Sequence, residues 1–195
     1  MSDLELVRRA KAGDHAALTE LLSAHTKQAY RLALHIVRNR ADAEDATQNA
    51  FVKAFTNLDR FDERRPFAPW LFRIVSRECL NLLRAEKTRF AFWQRQAKVV
   101  ETEDPPESVV LESVVHRDVV AAVNRLKTKD RLVLTLSYFL GLSEAEIAET
   151  MGIKRGTVKW RKHKAIERLR NVVEREFPGL GEAALGTLGP EGTSR

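Results

Sequence analysis

Apolar side chains along this chain recur every three or four positions and rarely alternate, a period that predicts helices rather than strands. From about Asp14 to Arg38, Leu18, Leu21, Leu22, Ala29, Leu32, Ala33, Ile36 and Val37 fall on one side of a helix. A second helix, about Ala41 to Asn57, gathers Ala43, Ala46, Ala50, Phe51, Ala54 and Phe55 on one face. Asp42, Glu44 and Asp45 sit in its first turn, against the positive end of the helix dipole. A loop from Leu58 to Pro66 leads to a third helix, with Pro69 in its first turn and Leu71, Ile74, Val75, Cys79, Leu82 and Leu83 as its core stripe. Arg73, Arg77, Asn81 and Arg84 share the opposite face.

Further along, Ser143-Glu144-Ala145-Glu146 reads as a capping box that opens a short helix, with Ile147, Ala148 and Met151 on its apolar face. Gly152 supplies the left-handed residue that ends it, and a longer helix starts near Arg155. A capped short helix, a Gly-centred turn and a second helix make a helix-turn-helix, the arrangement that lays a helix in a major groove.

Charge sharpens this. Lys154 to Arg170 carries eight basic residues against one acid, a net +7 in a chain whose formal total is +6, so the remainder sums to about −1. A solvated helix face ordinarily mixes both signs. A second basic stretch, Arg64 to Arg95, holds eight cations and two acids interleaved with Phe67, Trp70, Phe72, Phe90, Phe92 and Trp93. Cations track phosphates and aromatic rings stack on unpaired bases, so this segment suits single strands. Between the two, Val99 to His116 has five acids, no Lys or Arg and Pro105-Pro106, the mark of a linker. The expected organisation is therefore all-α: residues 1–95 and 117–177 as two small helical domains, 96–116 as an acidic flexible linker, and a Gly-rich, disordered tail at 178–195.

Enzyme chemistry finds little footing. The five histidines show no metal-ligand spacing, and neither a phosphate-binding glycine loop nor a nucleophile elbow occurs, so neither metal nor cofactor is expected. Cys79, the single cysteine, rules out an internal disulfide framework and fits a reducing cytoplasm. No apolar run approaches a signal core or a membrane span. The polar face with Asp42, Asp45, Gln48 and Asn49 reads either as helix capping with a solvated surface or as a docking surface for a basic partner.

These residues resemble a known family. ADAEDATQNAFVKAFTNLDRF followed by PWLFRIVSRECLNLLR is similar to the second conserved region of bacterial RNA polymerase sigma factors. LSEAEIAETMGIKRGTVKWRKHKAIERLR is similar to their fourth region, and the pair without other regions resembles the extracytoplasmic-function (ECF) group. The resemblance implies docking on the β′ clamp helices through Asp42, Asp45, Gln48 and Asn49. It implies reading and melting of the minus-ten element by Arg64, Arg65, Phe67, Trp70, Arg73, Arg77 and Asn81. Lys154, Arg155, Thr157, Lys159, Trp160 and Arg161 would read the minus-thirty-five element, while the rest of that domain meets the β flap. The implied partners are core RNA polymerase, promoter DNA and an anti-sigma factor. The chain departs from the family's pattern at Asn49, Arg77, Asn81, Trp160 and Lys162. A free-standing helix-turn-helix regulator is the alternative, and it leaves the basic-aromatic segment and the acidic linker unexplained.

Overall fold

The computed structural model describes residues 1–94 and 114–177, with side chains through residue 88 and from residue 118. The expected linker therefore lies outside the described residues except at its last three positions, and the expected tail at 178–195 lies wholly outside them. The fold is all-α, as the periodicity predicts, with eight α-helices among the described residues.

The first, α1 (Asp3–Lys11), precedes the expected helices and carries no apolar stripe that would announce it. Only Leu6 and Val7 are buried on it, too few to show a period. Its ends explain it: the Ser2 hydroxyl accepts from the Glu5 amide, Asp3 and Glu5 occupy the first turn, and Arg8, Arg9 and Lys11 occupy the last. That is the charge order a helix dipole favours. Helix α2 (His15–Val37) begins where Asp14 accepts from the Ala16 and Ala17 amides and ends at Arg38, a non-glycine residue in the left-handed region at φ 63°. Helices α3 (Arg40–Thr56) and α4 (Phe67–Gln94) flank a 3₁₀ turn at Leu58–Arg60.

The expected apolar face of α3 needs one correction. Ala43, Ala46, Ala50 and Ala54 are buried and Phe51 is half-buried, whereas Phe55 is 49 % exposed. With alanines on the inner stripe the helix lies close against its neighbours, which leaves the larger Phe55 ring at the rim, tilted against His15.

The second half comprises α5 (Val114–Arg125), α6 (Thr128–Leu134), a π-turn at Thr135–Phe139, α7 (Glu144–Met151) and α8 (Arg155–Glu176). Helix α5 starts three residues before the expected domain edge. Two apolar clusters form. One joins Leu6, Val7, Ala17, Leu21, Phe61, Phe67 and Leu71 at the α1 end. The other runs through both halves, from Leu32, Ile36, Phe72 and Val75 to Leu132, Leu136, Ile147, Val158 and Leu169. The halves thus pack on each other, chiefly α4 on α7 and the end of α2 on α6.

Candidate polymerase and nucleic-acid interface

The capping box forms: the Ser143 amide donates to Glu146 Oε2 at 2.8 Å, and the Glu146 amide donates to Ser143 Oγ at 3.3 Å. Gly152 ends α7 at φ 65°. Val158, Ala165, Leu169 and Val173 point α8 inward, spaced seven and four apart. That rotation turns Lys154, Arg155, Lys159 and Trp160 outward, with Trp160 57 % exposed. Thr157 and Arg161 are half-buried, and the Arg161 Nε is buried without a protein acceptor. Lys162 is half-buried too, its Nζ 5.0 Å from the Tyr138 ring centroid, so it lies across an aromatic face. Lys154, at the N-cap, offers no side-chain acceptor to the first-turn amides of α8.

On the first half, Asp62 organises the loop before α4. It accepts from Arg64 Nε and Nη2 at 2.9 Å each and from the Arg64 amide at 3.1 Å. Those donors pull its carboxyl down to about 2. The Arg64 side chain is nevertheless 89 % exposed. Phe67 is buried, and with Phe61 and Trp70 it makes a ring cluster with centroids 5.1 to 5.6 Å apart. Trp70 is half-buried, one side on that cluster. His25 backs the cluster against Phe67 and Phe72, and its Nε2 lies 2.9 Å from Asp3 Oδ2. Arg73 is half-buried, whereas Arg77, Asn81 and Arg84 form an exposed row, with Arg84 donating to Asn81 Oδ1 at 3.2 Å.

On α3, Asp45, Gln48 and Asn49 are exposed together and Asp42 is half-buried, its amide capped by Asn39. Val52 at 61 % and Phe55 at 49 % extend this face with apolar surface. Spacing puts Phe55 on the apolar face of α3, yet its ring stands at the rim. The signal that could have separated it is its neighbour Ala54, which already fills the inner stripe. Among the described residues, no group of three or more His, Cys, Asp or Glu is placed to hold a metal, and no helix is long and apolar enough to cross a membrane.

An all-α chain with a helix-turn-helix in one half and an exposed cationic row on a long helix in the other is, by class, a nucleic-acid-binding protein. Residues 21–89 match the family model for sigma-70 region 2, and residues 116–169 match that for sigma-70 region 4. The chain is 31 % identical over 84 % of its length to the ECF RNA polymerase sigma factor SigW of Bacillus subtilis, covering 92 % of that protein. It is 32 % identical to the ECF sigma factor SigE of Mycolicibacterium smegmatis, over 88 % of this chain and 68 % of that one. Among solved structures, CnrH in complex with the cytosolic domain of CnrY aligns at a TM-score of 0.68 and 25 % identity, over 90 % of this chain and 99 % of CnrH. The chain belongs to the ECF group of the sigma-70 family.

Proposed function

We propose that this chain is a cytoplasmic sigma subunit, without bond chemistry of its own, that binds core RNA polymerase and directs it to a set of promoters. The observation that carries the reading is the presence of three exposed surfaces of different chemistry on one chain: the polar face of α3, the cationic row of α4 and the basic start of α8. Residues 1–95 and 117–177 act as the two functional domains, and the acidic stretch between them threads a basic channel of the polymerase. Asp42, Asp45, Gln48 and Asn49 dock on the β′ clamp helices, and the second half meets the β flap. Lys154, Arg155, Thr157, Lys159, Trp160 and Arg161 read the upstream element. Arg64, Arg65, Phe67, Trp70, Arg73, Arg77 and Asn81 act at the minus-ten element, where cations hold the backbone and a ring holds an unpaired base. An anti-sigma protein is the proposed regulator, and the structural relative CnrH was solved in complex with a protein partner, the cytosolic domain of CnrY.

Pull-down of core polymerase by the chain, followed by permanganate probing of promoter thymines, tests this. Binding of core and opening of a promoter are expected, and a chain that binds DNA without binding core is a free-standing regulator. Trp70→Ala is expected to reduce opening by about five- to 150-fold with closed binding retained, because a lost base–aromatic stack costs about 1–3 kcal/mol. Normal opening in a merely less stable protein would assign Trp70 to the core alone.

A further inference from the structure

The loop before α4 carries two acids, Asp62 and Glu63, beside Arg64 and Arg65, so its formal charge cancels. Acids repel phosphates, and a loop that met nucleic acid by charge alone would have no use for them. Their partners give them another use. Phe61 and Phe67, both buried, fix the two ends of the loop, and between them the Arg65 amide donates to the Asp62 carbonyl at 3.0 Å to close a turn. The Asp62 carboxylate is engaged by Arg64 inside that turn. Arg65 lies 3.6 Å from Asp62 as well, and its Nη1 donates to Glu149 Oε1 on α7 at 2.9 Å.

Glu63 faces α1. Its Oε2 accepts from Arg8 Nε at 3.0 Å and its Oε1 from Lys11 Nζ at 3.1 Å. Lys11 also donates to the Phe61 carbonyl at 2.8 Å, with its ammonium 6.0 Å from the Phe61 ring centroid. Arg8 and Lys11 stand three apart, on one face of α1. Their hydrogen bonds, that of Arg8 first, hold the Glu63 carboxyl below the usual carboxylate range. The helix they stand on is itself fixed. Leu6 and Val7 enter the core, and Asp3 Oδ2 lies 2.9 Å from Nε2 of His25, whose ring rests on Phe67. The Lys11 side chain is only 20 % exposed and both its acceptors belong to the loop, so it is placed to hold the loop and not to reach a phosphate.

We propose that α1 is a positioning element of the minus-ten site, in which Arg8 and Lys11, through Glu63 and the Phe61 carbonyl, hold the turn at 62–65 in the form that receives an unpaired nucleotide. This rests on the assignment of Arg64 to Asn81 to the minus-ten element. A turn ordered beforehand loses little freedom on binding, so more of the contact energy appears as affinity. With the tether cut, only the fraction of chains that keep the turn competent can bind, and the apparent affinity falls by that fraction. Lys11 and Glu63 thus set affinity at this site without touching nucleic acid.

The test uses the full chain with Trp93→Phe and Trp160→Phe, which leaves Trp70, on the Phe61–Phe67 ring cluster, as its one tryptophan. Quenching of Trp70 by a random-sequence single-stranded 12-mer then reads binding at this site and not at α8. Glu63→Ala deletes a negative charge, so electrostatics alone would tighten binding to a polyanion, whereas loss of the tether weakens it. Glu63→Ala and Lys11→Met are each expected to bind at least fivefold more weakly than the parent. Lys11→Arg, which can donate to the same acceptors, is expected to stay within twofold of it, and a loss equal to that of Lys11→Met overturns the tether. The slope of log affinity against log salt is expected to be unchanged, because neither side chain neutralises a phosphate. A slope lower by about 0.7 in Lys11→Met makes Lys11 a phosphate contact and overturns the proposal. Unchanged or tighter binding by Glu63→Ala overturns it too. If Lys11→Met loses helicity, Glu63→Ala decides, because Glu63 lies in the loop outside every helix. A parent whose Trp70 emission does not respond to the 12-mer overturns the minus-ten assignment, and the positioning role falls with it.

Discussion

Single residues set the local geometry here, and some do so in ways that the sequence displays. Ser143 and Glu146 are spaced as a capping box and form one. Ser143→Ala removes the acceptor for the Glu146 amide and is expected to lower stability by about 1 kcal/mol, read as a shift of the urea midpoint at constant slope. Cys79 is fully buried on α4, and burial pushes its thiol up to about 12 from an ordinary 9.0. The folded chain then keeps a proton that the unfolded chain loses between those values. Stability from this group is complete below pH 9 and is lost as pH rises toward 12. Between pH 8 and pH 10 the wild type is expected to lose about 1.4 kcal/mol more than Cys79→Ala, read from urea unfolding at the two pH values. Equal losses would mean that the thiol is solvated. Arg38 gives no such warning in sequence: an arginine in the left-handed region is intrinsically unfavourable, and a tertiary contact to Asn124 accompanies it.

At the scale of elements, the long helices were legible, and a short one was legible where its ends were marked, as α7 is by Ser143, Glu146 and Gly152. α2 and α3 appear within a few residues of their expected bounds, and α4 starts directly after the expected loop, because each shows its apolar stripe over several turns. Helix α1, with two buried residues, is held by end charges and by α2, so periodicity had nothing to detect. The candidate site divides similarly. Exposure of Asp45, Gln48, Asn49, Lys154, Arg155 and Lys159 follows from the stripes opposite them, whereas Phe67 lies in the core and Arg161 is half-buried. Reversing charge on α3 with Asp45→Lys/Gln48→Lys leaves its alanine stripe untouched. Helicity is therefore expected to hold while affinity for core polymerase falls, measured by fluorescence anisotropy of labelled chain. Unchanged affinity would remove α3 from the docking surface. On α8, Lys159→Ala is expected to weaken binding to every upstream sequence and to lower the slope of log affinity against log salt by about one. Arg155→Ala is expected to relax preference at one base position in a randomised selection. If both lose affinity with the consensus unchanged, α8 positions the protein and does not read.

The whole molecule carries what no pattern announced. Beside the Arg65–Glu149 ion pair, hydrogen bonds between the halves, donated by Arg131, Thr150 and Arg38, end on backbone carbonyls of His35, Ile36, Pro69 and Asn124, groups that every residue type possesses, so no spacing of side chains foretold them. The acidic, diproline-containing stretch divides the sequence into two domains, and packing shows an apolar cluster that continues through both halves. Continuity has a thermodynamic consequence. A closure that favours the shut form a hundredfold stabilises each half by about 2.7 kcal/mol, because only folded halves can close. The two halves of the wild type should then unfold together. Trp70 and Trp160 lie in different halves, so two chains can report separately, one keeping Trp70 and the other Trp160, with the remaining tryptophans changed to Phe. Coincident urea midpoints are expected for the wild-type background, and separated midpoints for Glu149→Gln/Arg131→Met, with the less stable half unfolding first. Two transitions already present in the wild-type background would show that the shared cluster contributes no coupling, and that each half stands on its own core.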